Sequence, residues 1–151
     1  MKVKTALILC AGFGKRVQSI TDSLPKPLIN YKDETLLENT IKFLIKLKIN
    51  KIKINVFYLK EKIISFIENK KFPLNIEIVD DGETILGTGG GILSLINKSD
   101  EEDVLVINPD TIWDDSFINS VIDMENIYFE KKIKNILLVV KIGRASCRER
   151  V

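Results

Sequence analysis

Residues 3 to 16, "VKTALILCAGFGKR", decide how the rest of the chain is read. An apolar run passes straight into two glycines, Gly12 and Gly14, and then into two cations, Lys15 and Arg16. A short apolar run bounded by Ala11-Gly12 is predicted as a buried strand over residues 3–10. Glycines directly after a strand let successive backbone N–H groups converge on an anion with no Cβ in the way, so the stretch reads as a phosphate cradle. It fits neither common pattern. A Walker loop would need a glycine where Leu9 stands and a Ser or Thr where Arg16 stands, and a dinucleotide fingerprint from Gly12 would need a third glycine at Val17.

Outward from this stretch the chain alternates between two periodicities. Residues 11–33 contain Gly12, Gly14, Pro25 and Pro27 and are expected as a long loop, with one helical turn around Arg16 to Ile20; loops of that length are more often functional than idle. "TLLENTIKFLIKLKI" then spaces Leu36, Leu37, Ile41, Leu44 and Ile45 along one helical face. "KIKINVFY" (51–58) alternates as a strand, and "KEKIISFIENK" (60–70) returns to helical period. "LNIEIVDD" (74–81) is a strand that opens into "GETILGTGGG", followed by a short helix in "GILSLINK" (91–98). "DVLVINPD" (103–110) reads as a buried strand, residues 113–132 as a helix, and "KNILLVVK" (134–141) as a last strand. Strand and helix in alternation predict one α/β domain around a mostly parallel sheet. Ligands of such sheets sit beyond the carboxyl ends of the strands. "CAGFGKR", "DDGETILGTGGG" and "NPDTIW" all follow predicted strand ends, so the three should meet in space.

Composition narrows the chemistry. The 151 residues are 45% hydrophobic, enough for one domain with a core, and none is histidine. That excludes Ser-His and Cys-His nucleophile pairs, most zinc sites and the commonest general base. The two cysteines, Cys10 and Cys147, form no disulfide framework and lack metal-ligand spacing, as expected of a cytoplasmic protein. No apolar stretch has the length of a membrane span. The final "IGRASCRERV" (142–151) departs from the Ile-, Lys- and Asn-rich style of the rest and matches, residue for residue, the translation of a common sequencing adapter. It is expected not to be native, with the native domain spanning 1–141 here and continuing beyond Lys141, so that the domain is truncated at its carboxyl end. Removing the tail's three Arg and one Glu from 23 basic and 21 acidic residues leaves 20 of each, so charge gives no argument for a nucleic-acid partner.

Read with its continuation, "LILCAGFGKRVQSITDSLPKPLI" resembles the signature of the sugar-1-phosphate nucleotidyltransferases: L-A-A-G-x-G-x-R, a short spacer, then P-K-P-L. "LGTGGGI" is similar to the family's base-recognition loop and "VLVINPD" to its strand ending in a metal-binding Asp, and the resemblance runs in order over residues 3 to about 141. It implies a three-layer, Rossmann-like fold and a nucleoside triphosphate and a sugar 1-phosphate as substrates, with Mg2+ as cofactor. Within the family the compact spacing, "TGGGI" and "VINPDTIW" look most like the N-acetylmuramate 1-phosphate uridylyltransferases, which favours UTP. Leu86-Gly87-Thr88 also resembles mannose-1-phosphate guanylyltransferases and acetylglucosamine-1-phosphate uridylyltransferases. A non-catalytic sugar-nucleotide-binding regulatory protein is the alternative from another class, and a glycosyltransferase is disfavoured by the lack of a D-x-D motif. Oligomeric state stays open.

The resemblance assigns Leu9, Ala11, Gly12, Gly14 and Lys15 to the nucleotide, its triphosphate wrapped by residues 11–16, and Gly87, Thr88 and Gly89, with Glu83, to the base. Arg16, a permanently charged fork, suits the departing pyrophosphate. Lys26, held between two prolines, is a pre-positioned ammonium for the reacting phosphates. Asp110 would present a hard carboxylate to Mg2+, or else cap the helix that follows. The chemistry agrees with the composition, because a sugar phosphate oxygen is already anionic at neutral pH and needs no histidine to deprotonate it. Charge suppression and in-line placement are what the reaction requires.

Overall fold

The computed structural model describes residues 1–15 and 21–139. Up to Asp115 they form one compact unit. Four parallel strands make its sheet: β1 (Thr5–Leu9), β4 (Lys51–Val56), β5 (Asn75–Asp80) and β6 (Val104–Ile107), in the spatial order β5-β4-β1-β6. A two-residue hairpin, β2 (Asn30–Tyr31) with β3 (Glu34–Thr35), leads into helix α1 (Leu36–Lys46). Helices α2 (Lys60–Lys70) and α3 (Gly87–Asn97) complete the crossovers, giving the expected α/β fold with its parallel sheet. No helix among the described residues is long and apolar enough to cross a membrane.

Alternation along the strands sorts the side chains into two layers. On one face Leu7 and Val79 pack with Leu95 of α3, flanked by Leu9 and Val104. The opposite face carries Ala6, Ile8, Ile52, Ile54 and Val56, all fully buried, and Leu37, Ile41 and Leu44 of α1 with Ile63 of α2 are equally inaccessible. β4 alternates as "KIKINV", a pattern that reads as half solvated, yet Lys53 is only 2% exposed. Its ammonium satisfies itself inside, against Glu77 at 3.0 Å and the carbonyl of Lys98 just beyond α3. α3 therefore covers a lysine, and the polar face of β4 is an interior one.

Helix α1 starts where the sequence marks it. The Thr35 hydroxyl accepts from the Glu38 N–H at 3.1 Å, a cap that satisfies one of the first turn's orphan donors. Lys42 then reaches both Glu34 at 2.6 Å and Glu38 at 3.1 Å, and Lys70 of α2 reaches Glu38 at 2.9 Å. The Lys42 hydrogen bond outweighs burial and, with help from Asn39, holds Glu34 below its ordinary pKa of 4.5. Burial pushes Glu38 up, but the hydrogen bonds from Lys70 and Lys42 together carry it below 4.5 as well. Carboxylates that ionise more easily when folded add stability that is complete above 4.5 and is lost as pH falls through their lower folded values. Urea midpoints taken from about pH 6 to about pH 3 are expected to fall in that acid window, and to fall less steeply in Lys42→Met. Equal acid sensitivity of the two proteins would contradict the network's role.

Three sequence expectations are corrected. The loop expected over 11–33 contains a 3-10 turn at Lys26–Leu28 and the β2 strand, units too short to have a periodicity. α3 begins at Gly87 rather than Gly91, because glycines that look like helix breakers are its first turn. In "KNILLVVK", residues 135–139 form no strand, and Leu137 and Val139 are 85% and 80% exposed. Strand propensity without a paired neighbour makes no strand. The helical turn expected at Arg16 to Ile20 and the tail 142–151 lie outside the described residues. Beyond Asp115 the described residues form a second unit with a helix, α4, at Ser116–Lys131.

Candidate active site

β1 lies between β4 and β6, and the chain leaves β1 toward β4 while β6 is reached on the other side. Where such connections diverge, the loops after adjacent strands splay apart and leave a crevice. A cavity of about 390 Å3 opens there. Leu9, Cys10, Gly12, Gly14 and Lys15 line it from β1 and its loop, Lys26 and Pro27 from the 3-10 turn, and Thr88 from the first turn of α3. Asn108, Pro109 and Asp110 close it from the end of β6. The three stretches singled out in the sequence do meet.

Glycine is required at one point of the cradle and permitted at another. Gly14 has φ +67°, and a Cβ there would stand 2.8 Å from Thr21 Cγ2 and 3.3 Å from Lys26 Cβ. The Thr21 hydroxyl donates to the Gly14 carbonyl at 3.2 Å, locking the loop in that conformation. Gly12, by contrast, has no atom within 4 Å of where a Cβ would stand, so its backbone faces open space. Packing does not demand glycine there, while the close approach of a ligand would.

The two charged groups across the cavity are paired. Pro25 and Pro27 are buried on either side of Lys26, and the Leu28 N–H donates to the Pro25 carbonyl at 2.8 Å, which fixes the backbone carrying the lysine. From there Lys26 Nζ reaches Asp110 Oδ2 at 2.5 Å. Both side chains are about one third exposed, at 29% and 36%, so the pair adds little to stability and can be exchanged for other partners. α4 begins six residues after Asp110, too far for that residue to be its cap.

Behind the cavity the strand ends are tied by a buried amide. Asn55 Oδ1 accepts from the Cys10 N–H at 2.9 Å, and Asn55 Nδ2 donates to Asp81 Oδ2 at 2.7 Å, linking the ends of β1, β4 and β5. Gly91 lets α3 descend onto this amide: a Cβ there would be 2.6 Å from Asn55 Nδ2 and 3.8 Å from Leu9 Cδ2. Asn55 is held at both ends and cannot give way. Gly91→Ala is therefore expected to lose about 1 to 3 kcal/mol of stability in urea unfolding, as overpacking does, and unchanged stability would contradict this packing.

Of the residues chosen from sequence, Leu9, Gly12, Gly14, Lys15, Lys26, Thr88 and Asp110 line the cavity. Ala11 is buried and does not line it, while Glu83, Gly87 and Gly89 are exposed and outside its wall. Arg16 lies outside the described residues. Sequence reasoning missed Cys10, Pro27, Asn108 and Pro109 as lining, and Asn55 altogether. A buried Asn inside a strand was the available signal. Burial pushes the Cys10 thiol far above its ordinary pKa, so it stays protonated and is no nucleophile. Among the described residues no three or more Cys, Asp or Glu side chains converge as a metal cage. One hard carboxylate at an open cavity fits a cation shared with substrate phosphates, the usual mode for Mg2+.

A family model described as nucleotidyl transferase matches residues 5–145. The chain belongs to the nucleotidyl transferase family. Among curated relatives it is 39% identical over 131 residues to the bifunctional protein GlmU of Methanococcus maripaludis strain C5, covering 86% of this chain and 30% of that protein. It is 33% identical over 108 residues to the D-glycero-alpha-D-manno-heptose 1-phosphate guanylyltransferase of Aneurinibacillus thermoaerophilus, covering 72% of this chain and 46% of the relative. Among solved structures, a UDP-glucose pyrophosphorylase from Acinetobacter baumannii superimposes with a TM-score of 0.69 at 21% identity, over 86% of this chain and 54% of the other. HddC from Yersinia pseudotuberculosis superimposes with a TM-score of 0.64 at 23% identity, over 80% and 55%. These structural likenesses carry the fold. The chain thus spans about a third to a half of the relatives it matches.

Proposed function

We propose that the protein transfers a nucleotidyl group from a nucleoside triphosphate, UTP in first place, to a sugar 1-phosphate, releasing pyrophosphate. The observation that carries this reading is the Lys26–Asp110 pair facing a glycine-lined cavity at the divergence of β1 and β6. A sugar phosphate oxygen attacks the α-phosphorus, the bond to the β-phosphate oxygen breaks, and the electron pair leaves with pyrophosphate. The backbone of residues 11–15 orients the triphosphate, and Gly12 allows it to approach closely. Lys26 releases Asp110 and moves to the phosphates, where its charge offsets the repulsion between nucleophile and leaving group. Asp110 would hold Mg2+, which when bound screens the phosphate charge. Arg16 is proposed for the departing pyrophosphate and the turn around Thr88 for the base, with Glu83, Gly87 and Gly89 near it.

Uridylyl transfer to N-acetylmuramate 1-phosphate is the specific pair to try first, on the strength of "TGGGI" and "VINPDTIW". Guanylyl transfer is the second reading, favoured by the 33% identity to a heptose 1-phosphate guanylyltransferase. A panel of sugar 1-phosphates against the four ribonucleoside triphosphates, read by pyrophosphate release with the complete gene product, separates them. Release with UTP and a sugar phosphate is expected. Release with GTP alone would overturn the uridylyl specificity, and none with any pair would favour a binding protein without catalysis.

A further inference from the structure

We infer that Asn39 is a positioning residue for Asp110: the α1 stripe Asn39, Phe43 and Lys46 clamps the loop that carries this carboxylate. The inference rests on the nucleotidyl-transfer reading and goes beyond its signature residues. Asp110 stands on the loop after β6, and Lys26, the side chain it pairs with among the described residues, must leave it when phosphates arrive. Its place must then come from its own backbone. Three residues spaced i, i+4 and i+7 on α1 supply that restraint. Asn39 Nδ2 donates to the Trp113 carbonyl at 3.0 Å while the Trp113 N–H donates to Asn39 Oδ1 at 2.8 Å, so the amide pairs with the loop as a second strand would. The other Nδ2 hydrogen goes to Glu34 Oε1 at 3.0 Å, and Lys42 holds Glu34 in turn, so the amide cannot turn over. Phe43 stacks on the Trp113 ring at 5.1 Å and 18°, and Lys46 reaches Asp115 at 2.6 Å. The Trp113 ring N–H donates back to the Asn108 carbonyl at 3.3 Å, closing the loop around Asp110 from both sides. Only an amide can both donate and accept in this arrangement; aspartate would lose the donor and face Glu34.

The test uses the complete gene product and the binding of Mn2+ in the presence of α,β-methylene UTP, read by electron paramagnetic resonance. Asn39→Ala is expected to weaken Mn2+ binding about tenfold, and to raise the Mg2+ concentration for half-maximal turnover by a similar factor, as loss of a support behind a metal ligand does. KM for the sugar phosphate should stay within about twofold, because Asn39 acts through the cation that Asp110 would hold. In the Asp110→Asn background the same substitution should weaken Mn2+ binding no further, the non-additivity expected when one residue acts through another. Leu95→Ala, destabilised in the core under α3, should retain wild-type Mn2+ affinity, which separates positioning from general loss of stability. Where Asn39→Ala fails to fold, Trp113→Phe keeps the stacking and the backbone bonds, removes the bond to Asn108, and should show a smaller shift in the same direction. Unchanged Mn2+ affinity in the foldable variant, or equal weakening with and without Asp110, would overturn the inference. Wild-type protein that neither binds Mn2+ with the analogue nor releases pyrophosphate would overturn the nucleotidyl-transfer reading and this inference with it.

Discussion

Asp110→Asn is expected to cut turnover by about three orders of magnitude or more at every Mg2+ concentration, with the fold intact. Asn keeps the size of the side chain and can still accept a hydrogen bond, so the substitution isolates the charge. In the folded chain that charge meets Lys26 at 2.5 Å on a surface about one third exposed, and pairs of this kind add about 1 kcal/mol or less. The thermal midpoint should therefore barely move. The loop itself is restrained through Trp113 rather than through Asp110, so the backbone stays where it was. What disappears is the one carboxylate that faces the cavity from the end of β6 and can share a cation with the triphosphate. Steady-state rates over a Mg2+ titration, with circular dichroism as a control for folding, provide the check. Wild-type turnover at saturating Mg2+ would reduce Asp110 to a partner of Lys26.

Lys26→Ala should lower kcat by roughly two to four orders of magnitude, the range seen when a preorganised charge facing the transition state is removed. The two buried prolines around it hold the backbone at this position, so only the side chain has to leave Asp110 and turn to the phosphates. Lys26→Met, which keeps an apolar stem and removes only the charge, should be nearly as inactive. If instead KM rises and kcat is kept, the lysine contributes uniform binding and the transition-state role assigned to it is wrong.

The sheet and its helices were legible because strong periodicities coincide with burial. Leu37, Ile41 and Leu44 are fully buried on the helix that their spacing predicted, and "KEKIISFIENK" is helical over its whole length. Convergence of three loops followed from the parallel topology alone. Other features depend on tertiary neighbours that no local pattern encodes. Lys53 is interior because α3 happens to end above it. Gly91 is needed because Asn55, far away in sequence, stands beneath it. Lys26 and Asp110 were chosen from the motif, but their direct pairing follows from geometry that brings residues 84 positions apart within 2.5 Å. Asn39 carried no motif at all. Its part became visible only with both of its bonds to Trp113.

Nucleotidyl transfer breaks the bond between the α-phosphorus and the β-phosphate oxygen of UTP, so the fate of label in the two phosphates distinguishes it from other reactions. The complete gene product is given UTP labelled in one preparation at the α-phosphorus and in another at the γ-phosphorus, with Mg2+ and a sugar 1-phosphate identified by the panel. The α-label is expected to enter a nucleotide sugar and the γ-label to leave as pyrophosphate in equal amount, neither of them without the sugar phosphate. Recovery of the γ-label on the sugar or as inorganic phosphate, or of the α-label as free nucleotide, would mean that another bond is broken and that the cavity does not carry out nucleotidyl transfer to a sugar phosphate.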